Sequence, residues 1–354
     1  MLLDGLHIPL TTPFYPDGRL NLHKLEHNVA RYSKTPAAGL VALSEWGEPS
    51  LLSEEETRHV LRSVVAAAAD EKVLIAGVSR DSVVETLEWA ETAAEFGYDA
   101  VLVKRPSVLR DANRKGQTKE LLAYFRAVAD RSAIPVVLDS KGSEEGALLP
   151  SDFVIELAGH SRILGIVDGS DAPGQIEAIK TGTASIKRDV TVTPVFAAVT
   201  GRMQIRSEGA EAKDLILATA LMEGETAVAT PSKVTAKTRT KVVGFQILTG
   251  TTAGILAGLK DNATGAMPAF AGAAPQACYE VLAAWKDGDD SLAREKQERL
   301  QEVAARIEKQ LGIAGIKFGC DLNGYYGGKP RLPFLPLTGE EQDEIEGLMQ
   351  GMRN

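Results

Sequence analysis

The feature that most constrains this chain is an eightfold alternation of short apolar runs of β character with helical patterns. The runs are HIPLT (6–10), GLVAL (39–43), VLIAGV (73–78), AVLV (100–103), IPVVL (134–138), ILGIV (163–167), VVGFQIL (242–248) and TGAM (264–267). A strand that reads as one continuous apolar run is buried on both faces, as in parallel sheets covered by helices. The intervening helices are equally legible. In SEEETRHVLRSVVAAAA (53–69), Ser53 stands three residues before Glu56, a capping box ahead of an amphipathic run. Eight such units predict an α/β fold of the closed (β/α)₈ type. A doubly wound sheet would also want a Gly-rich phosphate turn after its first strand, and no G-x-G-x-x-G or Walker sequence is present.

The connection between 167 and 242 is more than twice as long as the others, which predicts an insertion at about 182–240 within a barrel spanning 1–287. Inside it, TVTPVFAAV (191–199) reads as a strand and AKDLILATALM (212–222) as a helix. Its last part, KVTAKTRTK (233–241), gathers Lys233, Lys237, Arg239 and Lys241, either a basic cover over an anionic ligand or a solvated linker. Residues 288–354 form a helical extension. Helices are expected at 271–286, 290–310 and 339–350, the second packing on the barrel exterior or on another subunit.

Composition removes several function classes. A net charge of −9 argues against binding nucleic acid, which needs a basic face. No apolar stretch of 18 residues occurs, and the N-terminal MLLDGLHIPLTTPF lacks the pattern of an export signal, so a cytoplasmic location without membrane contact is expected. The two cysteines, Cys278 and Cys320, form no C-x-x-C pair and read as buried hydrophobes.

In an α/β barrel the reactive groups sit at the C-terminal ends of the strands. There, IPLTTPFYPDGRLN (8–21), WGEPSLLSEEE (46–56), IAGV (75–78) and LPFLPLTGEE (332–341) resemble the dihydrodipicolinate synthase and N-acetylneuraminate lyase family. The resemblance covers about 6–180 and 242–340. It implies a carbon–carbon lyase or aldolase acting on a small keto acid or related carboxylate, in a homo-oligomer (dimer or tetramer). It also implies a Schiff-base lysine at the end of the sixth strand, where this chain has Val167 within GIVD (165–168), and a valine cannot form an imine. The family's proton-relaying tyrosine falls on Asp139. Its paired hydroxyls fall on Glu45 and Trp46, an arginine used by some members falls on Glu144, and an aromatic falls in the Ser107–Val108 pair.

The residues themselves describe a rebuilt site. Glu45, Asp139 and Asp168 end strands two, five and six, three carboxylates aimed at one mouth, which could hold Mg²⁺ or Mn²⁺ in support of an enolate, with Asp139 the acid/base candidate in the tyrosine's place and Glu45 beside it. Alternation along ILGIVD places Asp168 on the face opposite Val167, toward the helices. The competing reading pairs these acids with Lys104, Lys141 or Arg105. Lys104 and Lys141 are the remaining candidates for imine chemistry, and both could equally hold a carboxylate. Trp46, Lys104, Arg105, Thr11, Val167, Asp168, Gly250 and Pro268 are the expected substrate-binding positions, with Asp139, Glu45 and Lys141 catalytic and no cofactor unless the metal reading holds. A non-catalytic binding or regulatory barrel is the alternative, as is a register shift in the alignment of strands five and six. His23 and His27 have the spacing of a two-histidine face but lack an H-E-x-x-H frame. The Gly-rich FGCDLNGYYGGKPR (318–331), with Asn323, Tyr325 and Tyr326, is either a ligand loop or a shape-setting turn.

Overall fold

The computed structural model describes residues 1–109, 117–141, 148–170, 172–205 and 238–352. Eight parallel strands close into a barrel: β1 (Gly5–Pro9), β2 (Gly39–Ala42), β3 (Val73–Gly77), β4 (Ala100–Lys104), β5 (Val136–Ser140), β6 (Ile163–Asp168), β9 (Gln246–Thr249) and β10 (Gly265–Ala266). The circle runs β1-β10-β9-β6-β5-β4-β3-β2. Strand side chains alternate between two apolar layers. Val41, Ile75, Leu102, Val137, Val167, Leu248 and Met267 fill the barrel, and their neighbours in sequence pack against the helices.

The helices are α1 (Leu22–Tyr32), α2 (Glu54–Ala67), α3 (Val83–Phe96), α4 (Gln117–Arg131), α5 (Ser151–Ala158), α6 (Gln175–Gly182), α7 (Ile255–Lys260), α8 (Pro275–Lys286), α9 (Asp290–Ala304), α10 (Gly312–Leu322) and α11 (Gly339–Met349). The capping box at the start of α2 is formed: Ser53 Oγ accepts from Glu56 N at 3.2 Å, and Glu56 Oε2 accepts from Ser53 N at 2.9 Å. Ser53→Ala removes one of these partners and is expected to cost about 0.5–2 kcal/mol in urea unfolding. A cost under about 0.3 kcal/mol would mean that the cap contributes nothing here.

Three readings of the sequence change. TVTPVFAAV (191–199) is strand only at Thr191 and Val192, the end of a strand that starts at Arg188, and the chain then turns. VVGFQIL is not one strand: Val242 and Val243 belong to β8 (Arg239–Val243), the chain turns at Gly244, and only Gln246–Thr249 enters the barrel. The break follows from pairing, because β8 is antiparallel to β7 (Arg188–Val192) in a separate two-stranded sheet. The expected 290–310 helix ends as an α-helix at Ala304 and continues as a π-turn over Ala305–Gln310.

The antiparallel β7–β8 pair lies at the N-terminal end of the barrel. Val190 and Val192 pack on Leu2, and Lys241 pairs with Asp4 at 2.6 Å. Arg188 donates to the carbonyls of Ala158 and His160 at 2.7 and 2.9 Å. The described part of the insertion therefore closes the end opposite the mouth. Arg239 and Lys241 sit there and do not cover a mouth ligand, while Lys233, Lys237 and the 212–222 helix reading lie outside the described residues, as does Glu144.

Candidate active site

At the C-terminal mouth a cavity of about 490 Å³ opens above β2–β5. Its walls include Ser44 and Glu45 after β2, Ser79, Arg80 and Asp81 after β3, Lys104, Arg105 and Ser107 from β4 onward, and Asp139 on β5. Lys104 and Asp139 are register partners on adjacent strands and follow the inward-facing Leu102 and Val137, so alternation brings both side chains to the barrel axis.

Asp139 is the unusual group. It is 5% exposed, and its Oδ1 has no hydrogen-bond partner among the described residues. Burial pushes its pKa up to about 7; Lys141 and Lys104 pull it down and Glu45 pushes it further up. A carboxyl poised near neutrality with a free oxygen facing a cavity can take and return a proton. The Ser44 hydroxyl, buried and also without a partner, lies on the same wall.

Lys141 lies across the other half of the mouth. Its chain passes Gly169 and Gly250, where a Cβ would stand 2.7 Å from its Cγ and 2.6 Å from its Cε, and its Nζ donates to the Met267 carbonyl at 2.7 Å. Below it, Val167, Leu248 and Met267 are fully buried and leave no opening. The mouth is thus divided into a lysine-spanned half over β6, β9 and β10 and a polar cavity over β2–β5.

The expected site residues divide accordingly. Glu45, Lys104, Arg105 and Asp139 line the cavity. Arg105 is largely engaged in holding its own loop, with Nε donating to Leu109 O and Nη2 to Gln117 Oε1, both at 2.5 Å. Asp168 faces the helix layer, where Ser170 Oγ donates to it at 2.8 Å and Gln175 Nε2 at 3.3 Å. The three acids therefore do not converge, because Asp168 follows Val167 by one residue and alternation turns it outward. Among the described residues no group of three or more His, Cys, Asp and Glu is placed to hold a metal ion. Trp46 is half-buried against the helix-side core and is not among the residues that line the cavity. Thr11 is buried beside the Cys320 thiol, away from the cavity. Gly250 serves as the groove for Lys141, and Pro268 follows the carbonyl that accepts from it.

His23 and His27 are both exposed on α1. The Gly-rich segment sets shape: Asn28 and Tyr326 exchange two hydrogen bonds of 2.8 Å, and Asn323 Nδ2 donates to Ala273 and Met352 carbonyls. Sequence reasoning missed Ser79, Arg80 and Asp81. They directly follow the third apolar run, so the strand-end rule applied to β3 would have found them. Asp81 accepts from Ser107 N and Oγ at 2.5 Å each, tying the β3 and β4 loops together at the rim.

Comparison with known proteins agrees with this architecture. The chain matches the model of the dihydrodipicolinate synthetase family over residues 2–192 and 221–352. A 4-hydroxy-tetrahydrodipicolinate synthase from Methanothrix thermoacetophila is 26% identical over 98% of this chain and 96% of its own length. An L-threo-3-deoxy-hexylosonate aldolase from Hypocrea jecorina is 28% identical over 99% and 95%. Among solved structures, a dihydrodipicolinate synthase from Bacillus anthracis superposes with a TM-score of 0.77 at 19% identity, covering 100% of both chains, which supports the fold. The family match spans most of the chain, both sides of the insertion included, and this protein belongs to the dihydrodipicolinate synthetase family.

Proposed function

We propose that this barrel is an aldolase-type lyase that cleaves or forms a carbon–carbon bond beside the carbonyl of a keto acid, with Asp139 as the proton-transferring group. The observation that carries this reading is the buried Asp139 carboxyl, one oxygen unpartnered, in the mouth cavity. In the cleavage direction the Asp139 carboxylate takes the proton of the hydroxyl beyond the scissile bond. That carbon becomes a carbonyl, the bonding pair moves onto the keto group as an enolate, and Asp139 returns the proton to the enolate carbon. The Lys104 and Lys141 ammonium groups lower the energy of the enolate by their charge, acting in a site partly shielded from water. A cavity of about 490 Å³ with serine hydroxyls at 44, 50, 79 and 107 has room and partners for a polyhydroxylated chain attached to the keto acid. The aldolase relative supports a substrate of this class.

Lys141 acts here as a charged anchor, because its amine already donates to Met267 O and faces Asp139. Incubation with pyruvate followed by borohydride reduction is therefore expected to leave the intact mass unchanged, and an adduct mapped to Lys141 or Lys104 would replace the enolate route with an imine. The function itself is tested by following pyruvate release from a panel of 2-keto-3-deoxy sugar acids. Turnover of at least one supports the lyase reading, whereas saturable binding without turnover would make this a binding barrel.

A further inference from the structure

The two loops that receive Lys141 are also held from their other side. Thr252, two residues after Gly250, donates its hydroxyl to Glu308 Oε2, and Gln297 Nε2 donates to Thr252 O at 3.0 Å. Phe270, three residues after Met267, donates its backbone N–H to the same Glu308 carboxylate. Lys141 and Glu308 thus grip the same pair of segments, one from the end of β5 and one from the C-terminal extension. Glu308 reaches this position from the π-turn Ala305–Gln310 between α9 and α10, where Ile307 stays fully buried in the core. Single π-turns inside helices recur at functional sites, because the extra residue re-aims one side chain without ending the helix.

We propose that Glu308 is a positioning residue for the Lys141 ammonium, so that the C-terminal extension completes the barrel mouth. Its place in the reaction rests on the lyase reading above, but the shared hold on the two loops does not. The titratable groups facing the pair are Asp139 on the Lys141 side and, on the Glu308 side, the buried Cys278 thiol of α8, which burial keeps protonated. Burial pushes the Glu308 pKa up, and the Thr252 hydroxyl followed by the Lys141 charge oppose that shift.

The test is competitive acetylation of Lys141 in the full chain, read by mass spectrometry from pH 7 to 11 without substrate. Glu308→Gln keeps the size and the acceptor for Thr252 but removes the charge. It is expected to raise Lys141 labelling at pH 8 by about three- to tenfold, because the ammonium loses a nearby opposite charge. Glu302→Gln, exposed on the neighbouring turn, should leave labelling as in the parent. With a turned-over keto acid, Glu308→Gln should raise KM more than it lowers kcat, as loss of carboxylate anchoring requires. A labelling profile unchanged in Glu308→Gln overturns the proposal. Should no substrate be found, the labelling result still decides whether Glu308 acts on Lys141, while the lyase reading falls separately.

Discussion

Asp139→Asn is expected to lower kcat/KM by about 10²–10⁴-fold, the range for losing a positioned acid/base group, while the fold is retained. Asparagine matches the shape of aspartate but can neither take the hydroxyl proton nor return one to the enolate carbon. The parent enzyme should show kcat/KM rising through about pH 7 as the Asp139 carboxyl ionises, because the cleavage direction uses the carboxylate. That limb should vanish in the residual activity of the variant. A variant that keeps both activity and limb would remove Asp139 from the chemistry.

The same substitution carries a stability signature of opposite sign. The Asp139 pKa is raised in the folded state, from 3.8 to about 7, chiefly by burial. Its contribution to stability is therefore full below about pH 4 and is lost as pH rises toward and through 7, since the native state must then hold a desolvated carboxylate. Asp139→Asn should flatten this part of the Tm–pH curve and should be no less stable than the parent at pH 8. Catalytic loss with equal or greater stability is what separates a functional carboxyl from a structural one.

How much of this was legible follows from the kind of signal each residue leaves. The barrel was readable because strands buried on both faces leave continuous apolar runs, and because Ser53 and Glu56 mark a helix start by chemistry local to four residues. The direction of Asp168 was also readable, since alternation alone turns it away from Val167. Asp139 was found as a position, but its isolation was not, because an unpartnered oxygen is defined by groups that are absent around it. The split of VVGFQIL and the antiparallel pair at the barrel's closed end depended on pairing between residues far apart in sequence, which hydrophobic pattern does not encode. Lys141 reaching Met267, 126 residues away, and Glu308 turning inward on a π-turn belong to the same class.

Lys317→Met is the second large effect expected, and it concerns how the C-terminal extension is bound to the mouth. Lys317 on α10 is fully buried, paired with the buried Glu48 and lying 4.4 Å from the centre of the Phe14 ring. Burial lowers the Lys317 pKa, and the adjacent Glu48 opposes that shift. Glu48 Oε2 also accepts from Arg331 N at 2.9 Å, and the Arg331 guanidinium grips Glu56 at 2.7 and 2.8 Å while covering the opposite end of the same contact with Phe14 at 4.3 Å. Methionine keeps the apolar stem of Lys317 but leaves the Glu48 carboxylate buried without its cation. Breaking a buried pair on one side costs about 3–5 kcal/mol, well above the worth of the pair itself. In urea unfolding the single variant should lose that amount, and the double variant Glu48→Gln with Lys317→Met should recover most of it, giving a coupling energy of about 2 kcal/mol or more. Loss under about 1 kcal/mol in the single variant would show that Glu48 finds other partners. Glu48 lies three residues after Glu45 on the loop that forms the cavity wall, so the same variant should also raise KM for any substrate that cavity binds. A pair so placed fixes the position of the β2 loop as well as stabilising the fold.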